Sequence, residues 1–353
     1  MLSDLLVIDL SSVLAGPSVA TYFSELGAQV IKIEHPEHPD VTRSWKLPKE
    51  NKDSPVSAYF SSINYGKKYI QLDLTKEDDH SQFIKLIKKA DILVTNFKKG
   101  DDIKLKIEDK DLLTYNPRLI HGKISGYGSE SDRVAYDLIL QAESGIMSMN
   151  GTPESGPVKI PIAVIDVLAA HHLKEAILLA LYEREKTGQG KAINVSLYDA
   201  AVSSLVNQAS NYLMVNHVPK RIGSLHPNIA PYGELFTTKD GETITFAIGS
   251  NLHFKKLCST LQLDALIADE MYIDNQSRVI NRVILAQQLQ SRINKMNALE
   301  LLNELQKMNV PAGKVKDLRE VFSEKEAQNL VLEEVIDGVL TKRIKSVIFK
   351  GND

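Results

Sequence analysis

The stretch PIAVIDVLAAHHLKEAILLALYEREKTGQGK, residues 161–191, sets one carboxylate, Asp166, at the start of a long apolar helix pattern. Two chemistries suit an acid in that place. It can cap the helix by accepting a backbone N–H, a contribution of about 1 kcal/mol. It can also be a nucleophile, because the donors and positive dipole end of a helix N-terminus hold a carboxylate ionised and aimed. An ionised carboxylate attacks an activated acyl carbon. The roles are compatible, so position alone does not separate them.

Basic residues recur beside loops that follow strand patterns: Lys67-Lys68, Lys98-Lys99 and Lys104. Loops after parallel strands converge on the carboxyl edge of a sheet, where ligands bind. Lysines gathered there suit an anionic, phosphate-bearing ligand, and each also reads as part of a solvated face. No GxGxxG follows the first strand, and P-loop, HExxH, CxxC and GxSxG patterns are absent. His171 and His172 are adjacent, point to different helix faces and make a poor metal pair, so no metal site is expected. Cys258, the single cysteine, lies in the amphipathic FKKLCSTLQL and reads as a buried, inert thiol.

Strand and helix signals alternate through the first 200 residues. LLVIDL, AQVIKIE, KYIQLDL, DILVTNF and RLIHGKISGYG read as strands, and GPSVATYFSELG, EDDHSQFIKLIKKA and residues 167–186 as helices. This order predicts an α/β domain with a doubly wound, Rossmann-like, mostly parallel sheet over 1–200. A linker follows over 201–220. PYGELFTTKDGETITFAIG, with its Asp240-Gly241 turn, opens a smaller α+β domain over 221–313. Helices are predicted there at 253–261, 278–293 and 298–308. The last segment, 314–353, returns to strand patterns, LVLEEVID and KSVIFK, that need a sheet to join.

The chain has 353 residues, 43% of them apolar and 25% charged, with a net charge of -3. That balance fits a soluble two-domain protein and gives no reason to expect nucleic acid or a membrane surface as partner. One cysteine cannot form an internal disulfide, and a reducing cytoplasm is the expected location. Asp4 and Asp9 interrupt the N-terminal apolar stretch, which reads as a first strand rather than a leader.

Taken in order, VLAGPSVATYFSELGAQVIKIEHP, INYGKKYIQLDL, ADILVTNFKKG, NPRLIHGKISGYG, VAYDLILQAESGIMSMNG, IPIAVIDVLAAHH, YEREKTGQGKAINVSLYDAA and APYGELFTTKDG carry a likeness. From Leu5 to about residue 348 the chain resembles the family III CoA-transferases of the CaiB/BaiF type. The resemblance implies the fold of that family, an interlocked homodimer, and acyl-CoA and carboxylic acid substrates, with no cofactor beyond the CoA of the substrate. It makes Asp166 the catalytic nucleophile. It assigns CoA contacts to Val13, Leu14 and Ala15, to His35, to Leu72, Asp73, Leu74 and Thr75, to Asn96, Phe97 and Lys98, and to Lys104. Val134, Ala135, Tyr136 and Asp137 are implied to line the pantetheine and thioester end.

Three departures from the family pattern bear on function. His35 stands where many members have arginine. Leu14 stands where the formyl-CoA:oxalate enzymes have glutamine, which disfavours that substrate pair. The sequence ends at GND, where the family continues into a GEH-containing helix. The related racemases look for a histidine at Tyr136 and a glutamate near Ser250-Asn251. Tyrosine, with an ordinary pKa of about 10, serves poorly as the proton-shuttling base. The implied reaction is therefore CoA transfer through an aspartyl anhydride and an aspartyl-CoA thioester. An acyl-CoA racemase of the same fold and an inactive CoA-binding protein are the alternatives. Two connections, near NHVPKRIGSLHPNIAP and VPAGKVKDL, are expected to cross between the domains and leave an opening, which the resemblance implies a partner chain fills.

Overall fold

The computed structural model describes residues 1–349. The chain forms two compact units. One holds residues 1–148, 159–219 and the segment from 326 onward; the other holds 149–158 and 220–325. The smaller unit thus runs to Lys325 and takes in ten residues from the middle of the chain.

In the larger unit, strands β1 (Leu6–Asp9), β2 (Gln29–Glu34), β3 (Lys67–Gln71), β4 (Ile92–Thr95), β5 (Ile120–Ser125) and β6 (Lys191–Ser196) form one sheet in the order β3-β2-β1-β4-β5-β6. Every pairing in it is parallel. Helices α1 (Ala15–Glu25), α2 (Glu77–Ile87), α3 (Asp109–Tyr115), α4 (Asp137–Glu143), α5 (Val164–Thr187) and α6 (Val206–Val215) belong to the same unit. Inner parallel strands are covered on both faces and read as apolar runs. Val7, Ile8, Ile92, Leu93 and Val94 are accordingly fully buried. The strand order reverses between β1 and β4, so the loops after these two strands flank the crevice where such sheets hold ligands.

Helix α5 buries Ile165, Ala169, Ala170, Leu173, Ile177 and Ala180 at helical spacing. It lies close on β5 because Gly122 has no side chain. A Cβ there would stand 2.9 Å from Ile177 Cδ1 and 3.2 Å from Leu173 Cδ1. The helix ends at Gly188, whose left-handed backbone (φ 73°) lets its N–H reach Arg184 O at 2.8 Å.

Two expectations change at the C-terminus. Strands β10 (Val331–Ile336) and β11 (Val339–Ile344) do not join the large sheet; they pair with each other. Asp337 and Gly338 both have positive φ, 48° and 78°, the requirement of a tight hairpin turn. The hairpin packs Ile336 against Val56 and Phe60. Arg343 pairs with Glu25, which also accepts the Ser346 and Val347 N–H groups at 2.9 and 2.8 Å. Residues 345–349 of KSVIFK form no strand, and Lys350 and the GND end lie outside the described residues.

In the smaller unit β7 (Tyr232–Thr237), β8 (Thr243–Ala247) and β9 (Ala312–Lys314) form an antiparallel sheet. Helices α7 (Asn251–Thr260), α8 (Asn275–Ile280), α9 (Arg282–Ile293) and α10 (Ala298–Lys307) also belong to it. The predicted helix 278–293 is two helices, broken at Asn281. Its core joins Phe236, Phe246, Phe254, Leu257, Leu289 and Leu301 with Cys258, whose thiol burial pushes up to about 12, leaving it inert. Among the described residues no helix is long and apolar enough to cross a membrane, and no cluster could hold a metal ion.

Candidate active site

Beyond the carboxyl ends of β1, β4 and β5 the larger unit holds a cavity of about 300 Å³. Its first wall is the loop after β1. Buried charges fix that loop from behind. Asp9 accepts Ser11 N–H at 3.0 Å and the Ser11 hydroxyl at 2.5 Å, and pairs with Lys67 Nζ at 2.8 Å and Lys32 Nζ at 3.7 Å. Lys32 donates to Ser11 O at 2.7 Å and pairs with Asp40 at 3.2 Å. Asp40 in turn accepts Val13 N–H at 3.3 Å. Asn96 clamps the loop from β4, accepting Ser12 N–H at 3.0 Å and donating to Ser12 O at 2.8 Å. These bonds hold Val13 at φ 70°, a costly place for a β-branched residue. Gly16 lets α1 begin against this loop, since a Cβ there would lie 2.3 Å from Ser11 Oγ.

Lys67 is therefore not a ligand lysine. It is buried and donates to Asp9, Asn64 Oδ1, Pro17 O and Ile63 O.

Asp166 lines the same cavity. It is not the helix cap: α5 starts at Val164, the cap position is Ala163, and Asp166 lies within the first turn. The cap comes from another element. Asp137, the first residue of α4, accepts Ile165 N–H at 2.8 Å and the Gln141 amide at 2.6 Å. Among the described residues the Asp166 carboxyl has no hydrogen-bond or ion-pair partner and is 8% exposed. Burial first, and then the charge of Asp137, push it up to about 7. The helix N-terminus thus does not keep Asp166 fully ionised as the sequence suggests; desolvation and a like charge win. Burial, then the charges of Asp166, Asp137 and Asp40, push the Tyr59 phenol up to about 12, leaving a neutral hydroxyl in their field.

The structure gathers Val13, Leu14, Ala15, Asn96, Phe97, Lys98, Val134, Ala135, Tyr136 and Asp166 around one cavity. It does not bring the others to that wall. His35 stacks on His38 with ring centres 5.0 Å apart and lies 3.5 Å from Asp73. Leu72 and Leu74 are core residues, and Asp73 accepts the Thr75 hydroxyl at 2.6 Å. Lys104 is exposed. Asp137 serves the α5 terminus instead of lining the cavity. In the smaller unit Asn251 Oδ1 is engaged by Arg278 at 2.8 Å.

The sequence reading missed the cavity floor: Thr95, Asp109, His121, Lys123, Ser125 and Asn194. Its signal was present. HGKIS alternates polar and apolar residues in what should be an apolar inner strand, a departure expected where a site interrupts a core.

Comparison with known proteins shows the family. The model of CoA-transferase family III matches residues 2–348. A succinate–glutarate CoA-transferase of Agrobacterium fabrum is 35% identical over 93% of this chain and 83% of its own length. An acetyl-CoA:oxalate CoA-transferase of Acetobacter aceti is 35% identical over 90% of this chain and 81% of its own. The crystal structure of a CAIB/BAIF family protein from Brucella suis superposes with a TM-score of 0.83 at 34% identity, covering 99% of this chain and 92% of that one.

Proposed function

Because this chain belongs to CoA-transferase family III, we propose that Asp166 is the nucleophile with which it moves CoA between short carboxylic acids. The observation that carries this is a buried carboxyl with no partner among the described residues, lining a cavity walled by a rigidly held loop. A carboxylate whose affinity for protons is raised is a stronger nucleophile once ionised, and near pH 7 a large fraction of it is ionised.

The steps balance without an outside energy source. Asp166 Oδ adds to the thioester carbonyl, the C–S bond breaks, and CoA leaves as thiolate from a mixed anhydride. The thiolate attacks the aspartyl carbonyl and releases the donor acid, giving an aspartyl-CoA thioester. The acceptor carboxylate attacks that thioester and re-forms an anhydride. The thiolate then takes the acceptor's acyl carbon and frees Asp166. N–H groups of the Leu14–Gly16 backbone, at the start of α1, are suited to the oxyanions.

The acids named for the relatives, succinate, glutarate and oxalate, support short dicarboxylic acids as the substrate class here. Incubating the enzyme with pairs of such acids and their CoA thioesters, and following CoA by mass spectrometry, tests the reading. Hydroxylamine should convert Asp166 to a hydroxamate only when a substrate thioester is present. Transfer with no label on Asp166 would sink the mechanism.

A homodimer completes the proposal. Helix α6 buries none of its residues, although Val206, Leu213, Met214 and Val215 are 67–82% exposed. Helix α5 leaves Leu179 and Tyr182 similarly bare. Apolar side chains left bare in this way suit a second copy, interlocked as the sequence resemblance implies. The cytoplasm, on the strength of the lone cysteine, is the proposed location. Light scattering should show the dimer persisting at nanomolar concentration, and a folded monomer on dilution would rule out interlocking.

A further inference from the structure

The floor of the cavity is built from one face of the sheet. His121, Lys123 and Ser125 alternate along β5, with Thr95 of β4 and Asn194 of β6 both in register with Lys123. Asp109 reaches them from α3. Its Oδ1 lies 2.7 Å from His121 Nδ1, and His121 Nε2 lies 3.0 Å from the Thr95 hydroxyl. Lys123 Nζ donates to the other oxygen of Asp109.

Burial drives His121 below its ordinary value, so the ring is neutral at pH 7. A neutral ring between a carboxylate and a hydroxyl takes one orientation: Nδ1–H donates to Asp109 and Nε2 accepts from Thr95. The His121 and Lys123 bonds hold Asp109 down to about 2 and so permanently charged. Thr95 and His121 are 2% exposed. They fix the carboxylate, and the carboxylate fixes the lysine.

Lys123 itself remains accessible. Its side chain is 29% exposed within the cavity, and its only partner among the described residues is Asp109. An ammonium has three N–H donors, so two remain for whatever fills the space. Lys32 on inner strand β2 spends its charge on Asp9, Asp40 and Ser11 O, whereas Lys123 has Asp109 alone among the described residues, so the cost of desolvating its charge is only partly offset within the sheet. A lysine aimed by a rigid pair into a ligand cavity is the arrangement used to recognise an anionic oxygen.

We propose that Lys123, positioned by Asp109 and His121, binds an anionic oxygen of the substrate, either a free carboxylate of the acyl group or a phosphate of CoA. The inference rests on the proposed reading of the cavity as the seat of the CoA thioester. It assigns to the floor a specificity role that is separate from Asp166.

The test uses the full chain carrying Asp166→Ala, which binds without turning over, with and without Lys123→Met. Dissociation constants are measured for CoA, acetyl-CoA and succinyl-CoA. Loss of a charge-assisted contact weakens binding about tenfold or more. Weakening confined to succinyl-CoA identifies the acyl carboxylate as the ligand. Equal weakening of all three, restored by Lys123→Arg, identifies a CoA phosphate. Unchanged constants for all three overturn the proposal. So does a loss that Lys123→Arg fails to restore, which would mark Lys123 as packing. No binding of any probe to Asp166→Ala would overturn the proposal and the CoA reading together. Normal CoA binding with no exchange between any acid pair in the parent enzyme would remove the transfer reading and leave Lys123 standing.

Discussion

Asp9 and Asp166 are both buried carboxylates of the same unit, and their surroundings make them opposites. Asp9 is fully buried, and burial alone would raise it; Lys32, Lys67 and Ser11 more than reverse this and bring it to about 2. Asp166 is 8% exposed and has no such partner among the described residues; burial first, and then the second carboxylate of Asp137, take it to about 7. Burial fixes only how much partners matter. A carboxylate surrounded by cations becomes part of the scaffold, and one deprived of them is left reactive.

The contrast predicts different losses. Asp166→Ala should lower the transfer rate by about a thousandfold or more, as removal of a covalent nucleophile does, while thermal unfolding is unimpaired. A coupled transfer assay read beside a melting curve checks both halves. Asp9→Asn should do the reverse. It strands Lys67 and weakens the support of Lys32, and breaking a buried pair costs about 3 kcal/mol or more. Urea unfolding should show that loss. An Asp9→Asn protein of parental stability would remove the scaffold half of the comparison.

The fold was legible where a single stretch decides its own fate. LLVIDL and DILVTNF are apolar runs because inner parallel strands are covered on both sides, and those strands lie where the pattern puts them. The site was legible only in part, because its decisive contacts join distant residues. Lys67 looks like any surface lysine until β3 brings it to Asp9, 58 positions earlier. The start of α5 was misplaced by three residues because its cap, Asp137, comes from another helix. Periodicity sees only within an element, and a cap supplied from outside leaves no local trace.

The same two carboxylates should respond to acid in separate windows. Asp9 is depressed in the fold, so its stabilisation is full above its unfolded value near 4 and is lost as pH falls toward about 2. Asp166 is raised. As pH climbs from about 4 to about 7 the unfolded chain releases this proton and the folded one keeps it, so stability falls across that interval. Asp166→Asn should therefore be more stable than the parent at pH 7 and indistinguishable from it near pH 4. Unfolding titrations at the two values measure the difference, and a variant equally stable at both would mean that Asp166 has found a partner.

The finest test moves Asp166 without touching it. Asp137→Asn removes the neighbouring charge and keeps an oxygen for Ile165 N–H, now 2.8 Å from Oδ1. It also sets an amide against Gln141, whose Nε2 donates to Asp137 and whose Oε1 accepts Ile160 N–H at 2.8 Å. One of these bonds must be given up, at a cost of about 1 kcal/mol. Burial is the larger cause of the Asp166 shift and is unchanged by the substitution. The pH profile of kcat/KM for the first acyl transfer should rise through an inflection near 7 in the parent. In Asp137→Asn the inflection should move to lower pH while staying above the ordinary carboxylate range, with the alkaline plateau nearly level with the parent's. An unmoved inflection would mean that burial alone sets Asp166. A collapsed plateau would mean that Asp137 matters chiefly for where α5 begins, and hence for where Asp166 points.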